Sequence, residues 1–373
     1  MTSEGKTNRP GRRRALLAMT VVMAAALALG ACAPAAKADV SAEAKAEGEV
    51  VIATAGGMLQ DMLAKHLYDN FTKATGIKVT AVTINTDEQW AKVKADTEAG
   101  GVKWDLVNVG PDSMVLQQDY IMDLGKDCGA VPNLARNGAP GVCQQFGFLY
   151  ILGGYILGVN TSKFPNGTPK NAADFFDTKK FPGPRALSGN EPVYNMMIAL
   201  AADGVTQDKL WPLDIKRALA KLDTIKPSIA SWWDSSDQAM QNWRTGEVVM
   251  STFWAGRIVQ LRKAGEPIVP VWNGFPRDIS GFGILKKAPH PNAAKAFIDY
   301  FFSDEAAQYV LDLSQDINYD PPNKKSLELP SKVNPADRAT YPDNWNAMLS
   351  MDVQVLKSQR AEIEKAWQEW IAK

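Results

Sequence analysis

Histidine is almost absent: 373 residues contain two, at positions 66 and 290. That leaves little material for a general base or for a histidine-based metal centre. Cysteine is nearly as scarce, at three residues with no Cys-x-x-Cys pair. No G-x-S-x-G elbow, no phosphate-binding P-loop and no G-x-G-x-x-G opening a helix after the first strand occurs. Nucleophile-elbow hydrolysis and the common nucleotide-dependent chemistries therefore lack their parts, and neither a metal nor a cofactor is expected. An excess of charge of either sign is missing too, with 41 basic residues against 41 acidic. Residues 1–31 hold five of the basic ones and one acidic, leaving 36 against 40, a net of −4, beyond Ala31. Without a basic stripe, nucleic acid is not a partner. Internal repeats and heptad arrays are also lacking.

What the chain does have begins with its first 32 residues. Arg12, Arg13 and Arg14 precede an apolar run from Leu16 to Ala31, and Leu29-Gly30-Ala31 leads straight to Cys32. Positive charge, a short apolar stretch and small residues before a cut describe an export signal. The run is shorter than the roughly 20 residues that span a bilayer core. Leu-Gly-Ala-Cys resembles the bacterial lipobox, which implies cleavage before Cys32 and a lipid on its thiol; the alternative is a plain secretory signal with a chance cysteine. Arg13-Arg14-Ala-Leu-Leu also resembles a twin-arginine signal, and either route ends outside the cytoplasmic membrane. Residues 32–48 are mostly Ala, Lys, Glu, Ser and Pro and read as a flexible tether. Outside the membrane, Cys128 and Cys143 are expected to form a disulfide, closing a loop worth about 3 kcal/mol at most. Metal binding by these two cysteines is the competing idea and finds no ligand spacing.

Beyond the tether, strands and helices alternate. Residues 50–55 form a short apolar strand running into Gly56-Gly57, a helix follows to Gly76, and residues 77–84 are strand again. Asp87 is expected to cap a helix towards Gly100, and residues 104–110 form a third buried strand. Such an order means a parallel sheet with crossover helices. Ligands then sit beyond the C-terminal strand ends, which selects the loops 54–58 and 108–113. Residues 145–164 are extended but too long for one strand, with Gly153-Gly154 as the expected break. A second αβ series follows, then extended segments at 268–274 and 279–287 that return towards the first. The irregular stretch 318–326 crosses again, and an amphipathic helix covers about 343–371.

The candidate contact residues lie in those loops. Gly56 and Gly57 form a strand-to-helix turn, Asp112 follows the third strand, and Glu191 and Tyr194 precede or open a helix. The loop Trp232-Trp233-Asp234-Ser-Ser-Asp237, then Trp254, Ser280 and Tyr319 lie at strand ends or crossings. Trp faces attract ammonium groups by about 0.5–2 kcal/mol. Trp211, Trp243 and Trp272 are assigned to the core instead. Asp234 and Asp237 could do acid–base work, though carboxylates three residues apart at a helix start are more often caps.

In order, VVIATAGGMLQDMLAKHLYDNFTKATGIKV (50–79), KFPNGTPKNAADFFDTKKFPGPRAL (163–187), TGEVVMSTFWAGRI (245–258), AAKAFIDYFFSDEAAQ (293–308) and NYDPPNKKS (318–326) resemble the solute-binding proteins of bacterial ABC importers. The likeness is to the spermidine/putrescine-binding branch of the type II periplasmic-binding family, from about Glu49 to Lys373. It implies a two-lobed α/β fold, each lobe a mainly parallel sheet flanked by helices, closing on one small solute. The lobes are expected at 49–157 plus 279–325 and at 158–278 plus 326–373, after a lipoprotein-type signal over 1–31. The implied activity is binding without chemistry, on a monomer that passes its solute to membrane permease subunits. By the same resemblance Trp254 stacks on the ligand's alkyl chain and Tyr319 is a crossing-segment contact. Gly-Pro-Asp at 110–112, Ser280-Gly281 and the single Glu191 stand where polyamine binders carry other polar, aromatic or acidic groups. Putrescine or spermidine is the first expected ligand, a zwitterion such as 4-aminobutyrate the second, and an exported hydrolase the distant third reading. Asp112, Glu191, Asp234, Asp237 and Asp278 could neutralise an amine, whereas Arg185, Arg257 or Arg277 facing the cleft would favour the zwitterion.

Overall fold

The computed structural model describes residues 40–334 and 337–373. The signal segment, Cys32 and the tether as far as Asp39 lie outside the described residues. β1 (Glu49–Thr54) buries Val50 and Ile52 completely and runs parallel to both β2 (Lys78–Thr83) and β3 (Leu106–Val109). Its alternating residues serve two cores, Val50 and Ile52 on one face and Ala53 with Val107 and Trp90 on the other. Parallel neighbours need crossovers, and helices supply them. One runs through Gly57–Thr75 with a π turn at Ala64–Tyr68 and stops on Gly76 at φ 79°. The next, Thr86–Glu98, is capped by Asn85, which accepts from the Glu88 amide at 2.8 Å. Asp87, expected as that cap, already lies inside the helix because the extended-to-helical change happens at Asn85.

Cys128 and Cys143 are bonded, which fixes β4 (Cys143–Gln144) to the preceding loop. β5 (Gly147–Asn160) departs most from expectation: it is one unbroken strand of 14 residues. Gly153 and Gly154 do not break it. A Cβ at Gly153 would overlap the Tyr319 ring, and one at Gly154 would meet Met348 and Ile156, so both positions give room to neighbours. The remaining strands are β6 (Arg185–Ser188), β7 (Ile229–Trp233), β8 (Met250–Trp254), β9 (Ile268–Val271) and β10 (Arg277–Ile284). The path runs β2-β1-β3-β10-β5-β8-β6-β7, with β4 and β9 also on β5. The first half of β5 pairs with β10 and β4, its second half with β8 and β9. One strand thus belongs to both lobes.

Each lobe has its own core. Phe71, Phe148, Phe282, Phe297 and Phe301 fill the first, while Tyr155, Phe175, Phe253 and Trp367 fill the second. Two segments differ from the sequence reading. Ala42–Glu47, within the expected tether, is helical; Ser41 caps it, and the Glu47 carboxylate accepts from the Ala293 amide at 2.6 Å, closing the start of the helix Pro291–Phe301. The expected terminal helix is divided into Pro342–Ala347 and Val353–Ile371, because Leu349 pairs with the backbone of Phe275 and Arg277 before Asp352 caps the longer piece. No helix among the described residues is long and apolar enough to cross a membrane.

Candidate functional site

A cavity of about 590 Å³ lies between the lobes at the C-terminal ends of β1, β3, β6, β7 and β8. Its first-lobe wall is neutral apart from one group. Ala55, Gly56 and Gly57 follow β1, Met58 and Leu59 lie in the next helix, Asn108 is the last but one residue of β3, and Gly110, Asp112 and Ser113 follow that strand. Gly56 has φ 73°, and a Cβ there would meet the Thr83 side chain, so this turn needs glycine. Asp112 is the charged exception, and it is paired with Arg360 at 3.1 Å.

The second-lobe wall is aromatic and charged. Trp254 ends β8 directly opposite Tyr155, with ring centroids 5.1 Å apart, and Tyr194 stacks on Tyr155 at 5.4 Å. The Tyr155 hydroxyl is held by the Thr252 hydroxyl at 2.6 Å and the Ser188 amide at 3.0 Å, so this block is fixed from behind. Trp254 also precedes the helix Ala255–Lys263, which has no side-chain cap, and Gly256 and Arg257 in its first turn line the cavity. Gly256 is a close-approach position, because a Cβ would meet the Ile317 carbonyl of the other lobe. Arg257 is largely buried, which lowers its pKa. It donates to Gln260 Oε1 at 3.2 Å and lies 3.9 Å from the exposed Asp237. Most of its five donors point to no protein acceptor in these contacts. An unsaturated guanidinium beside a helix N-terminus is an anion-binding arrangement.

The crossing segments supply the third side. Asp278 on β10 sits opposite Gly153 of β5, and the Tyr319 ring occupies the space a Gly153 side chain would take. Asn318, at φ 57°, ends the helix Ala307–Ile317 and turns the chain so that Tyr319 enters the cavity. Asp278 opens partly onto the cavity, yet the protein around it pushes its pKa up to about 7. The cause is desolvation of the carboxylate, and an ammonium group arriving there would reverse it.

Among the candidates read from sequence, Gly56, Gly57, Asp112, Glu191, Trp233, Asp234, Asp237, Trp254, Ser280 and Tyr319 line this cavity. Tyr194 lines an adjoining one of about 420 Å³, which shares Asp112, Asn190 and Glu191 with it. Trp232 lines neither: successive strand residues face opposite ways, and its ring packs edge-on against Trp367 and Trp370 of the terminal helix. The three arginines also separate. Arg185 is wholly buried and donates to the carbonyls of Phe175, Gly183 and Phe181. Arg277 borders the adjoining cavity, where it donates to the Trp345 carbonyl at 2.8 Å and lies over the Trp345 ring. Only Arg257 of the three lines the main cavity. Asn108, Asn190 and Ser113 were not singled out from sequence. Asn108 and Ser113 lie in the loop 108–113 that the strand-end rule selects, and Asn190 follows β6, where the same rule applies.

The bacterial extracellular solute-binding protein family matches residues 66–343. The gamma-aminobutyric acid-binding protein of Pseudomonas aeruginosa is 30% identical over 338 residues, covering 89% of this chain and 93% of that one. The spermidine/putrescine-binding periplasmic protein of Escherichia coli K12 is 25% identical over 301 residues, or 74% and 79% of the two chains. Among solved structures, an ABC transporter substrate-binding protein from Bradyrhizobium japonicum superposes with a TM-score of 0.76 at 29% identity, over 87% of this chain and 99% of that one. The chain belongs to the bacterial extracellular solute-binding family and is an ABC-transporter substrate-binding protein with the two-lobed α/β fold.

Proposed function

We propose that the cleft takes a small zwitterion, an ω-amino acid of the 4-aminobutyrate type, and releases it unchanged to membrane permease subunits. The observation that carries this reading is Arg257, a buried cation with donors to spare, in the same cavity as the buried carboxyl of Asp278. The ligand carboxylate sits on Arg257 and the amides opening the helix Ala255–Lys263. Its ammonium group sits on Asp278, with Glu191 nearby, and its methylenes lie against Trp254. A dication would find no use for Arg257 and would incur the cost of an unpaired buried charge beside it. The name of the Pseudomonas relative supports the same ligand class.

Polyamine binding is the second reading. It is favoured by the acidic residues Glu191, Asp234 and Asp237 on the cavity wall and by the name of the Escherichia coli relative. A calorimetric series of 4-aminobutyrate, 1,4-diaminobutane and butylamine separates the two. Preference for 4-aminobutyrate that disappears in Arg257→Met supports the zwitterion. Preference for the diamine, lost in Asp234→Asn, selects the polyamine reading, and turnover of any substrate would remove both.

Export and anchoring complete the proposal. Cleavage before Cys32 and a lipid on its thiol would hold the domain at the outer side of the cytoplasmic membrane. Intact mass of the exported chain should show the lipid adduct, and a Cys32→Ala chain that stays with the membrane would overturn the anchor.

A further inference from the structure

We infer that Arg360, which does not line the main cavity, sets its selectivity by occupying Asp112. Asp112 lies in the first turn of the helix Pro111–Leu116, just after β3, and borders both the main cavity and the adjoining one. Arg360 rises from the terminal helix Val353–Ile371, which packs in the second lobe, and lines only the adjoining cavity. Its Nη1 donates to Asp112 Oδ2 at 3.1 Å, so the pair crosses from one lobe to the other. Glu364, one turn further along the helix, lies 3.9 Å from Arg360 Nε and helps hold the guanidinium in place. The other Asp112 oxygen, Oδ1, accepts from the Ser113 hydroxyl at 3.5 Å. Asp112 is therefore held on both sides.

Selectivity follows from counting what a dication needs. A diamine that spans the cleft is held best with a carboxylate on each wall, one for each ammonium group. Asp278 sits on the crossing strand, while Glu191, Asp234 and Asp237 belong to the second-lobe wall. Asp112 is the carboxylate that the first-lobe wall brings to the cavity among the described residues. Arg360 has already neutralised it. A ligand with a single ammonium group does not need Asp112, whereas a diamine must displace Arg360 to use it. The pair is half-exposed, and such pairs contribute little to stability; its consequence is in which ligands fit.

This rests on the zwitterion reading for what the unaltered chain prefers. Calorimetry with 4-aminobutyrate and 1,4-diaminobutane is compared across the full chain, Arg360→Gln, Arg360→Lys and Arg360→Gln with Asp112→Asn. Arg360→Gln should gain about tenfold in diamine affinity relative to 4-aminobutyrate, the scale of one freed charge partner. Arg360→Lys keeps the charge and should keep the original ratio, and the double variant should lose the gain. An unchanged ratio in Arg360→Gln, or a gain that survives Asp112→Asn, overturns the inference; Arg360→Met carries the same test if the glutamine variant fails to fold. Should the unaltered chain bind neither ligand, the zwitterion reading falls. The inference is then decided by whether Arg360→Gln binds the diamine more tightly than the double variant does.

Discussion

The two walls of the cleft are built on opposite plans. The first lobe offers a glycine turn, the apolar Met58 and Leu59, short polar side chains and one carboxylate already paired, whereas the second offers Trp254, Arg257, Glu191 and the Asp234–Asp237 segment. Both walls sit at parallel strand ends, so topology alone does not distinguish them. The difference lies behind the walls. The second-lobe aromatics are locked by Tyr155 and its two hydrogen bonds, and Arg257 is fixed by its helix, so recognition groups are held before a ligand arrives. The first-lobe wall is shaped by a tight turn, which Gly56 permits at φ 73°. On the reading proposed above, most recognition groups stand on the second-lobe wall, and the first-lobe wall contributes Asp112 alone of the charged groups among the described residues.

That division predicts its largest effect at Arg257. Arg257→Met should weaken a carboxylate-bearing ligand by about thirtyfold or more, corresponding to the 2–5 kcal/mol typical of a desolvated charge partner. Ser113→Ala on the facing wall should cost no more than a few-fold. Calorimetry on both proteins measures the asymmetry, and equal losses would show that the walls share recognition.

The next effect belongs to the strand common to both lobes. Gly153→Ala would push a methyl group into the Tyr319 ring, which has rigid strand backbone on one side and the cavity on the other. Overpacking of this kind costs about 1–3 kcal/mol. Thermal unfolding should register the loss, and ligand affinity should fall with it, because Tyr319 lines the cavity. Retained affinity would detach Tyr319 from recognition.

A smaller contrast separates two neighbouring tryptophans. Trp232→Phe removes part of a packing cluster with Trp367 and Trp370, away from the cavity. Stability should fall by about 1 kcal/mol, in the usual range for a trimmed contact, with affinity unchanged. Trp254→Phe should do the reverse, weakening chain-like ligands a few-fold with little change in the melting point. A melting curve and one titration per variant suffice, and an affinity loss in Trp232→Phe would contradict its placement.

These residues also mark how far a sequence can be read. The β1–β2–β3 alternation and the strand-end rule placed Gly56, Gly57 and Asp112 at the cleft, because both rest on local periodicity and chain order. Trp232 and Trp233 could not be told apart, since facing depends on the register of β7 against β6, a long-range property. The same holds for the arginines. Arg185 carries no local mark of its three carbonyl partners, and Arg257 none of its opening onto a cavity. Gly153-Gly154 reads as a break because a glycine that gives way to a distant ring looks like a glycine that ends a strand. Helix Ala42–Glu47 escaped notice because what holds it, the start of the helix Pro291–Phe301, lies far along the chain.

The smallest effect concerns Asp278, which stands between the two walls on β10. Burial raises its pKa from 3.8 to about 7, so the folded chain holds a proton that the unfolded chain gives up. Between about pH 4 and pH 7 the native state therefore binds more protons, and stability falls as pH rises through that window. Above about pH 7 the carboxylate is charged in both states, and the slope disappears. Asp278→Asn removes the titration, so the unliganded variant should gain on the unaltered chain as pH rises and level off near pH 7. The gain is modest because the carboxyl opens partly onto the cavity. An ammonium ligand inverts the sign, because it stabilises the carboxylate and drives its proton off. Affinity of the unaltered chain for an amine should climb between about pH 5 and pH 8, while that of Asp278→Asn stays flat. Melting curves and titrations at four pH values measure both slopes on the same two proteins. Parallel slopes in the two proteins would move the ammonium group from the crossing strand to Glu191 or the Asp234–Asp237 loop, and recognition would then belong wholly to the second-lobe wall.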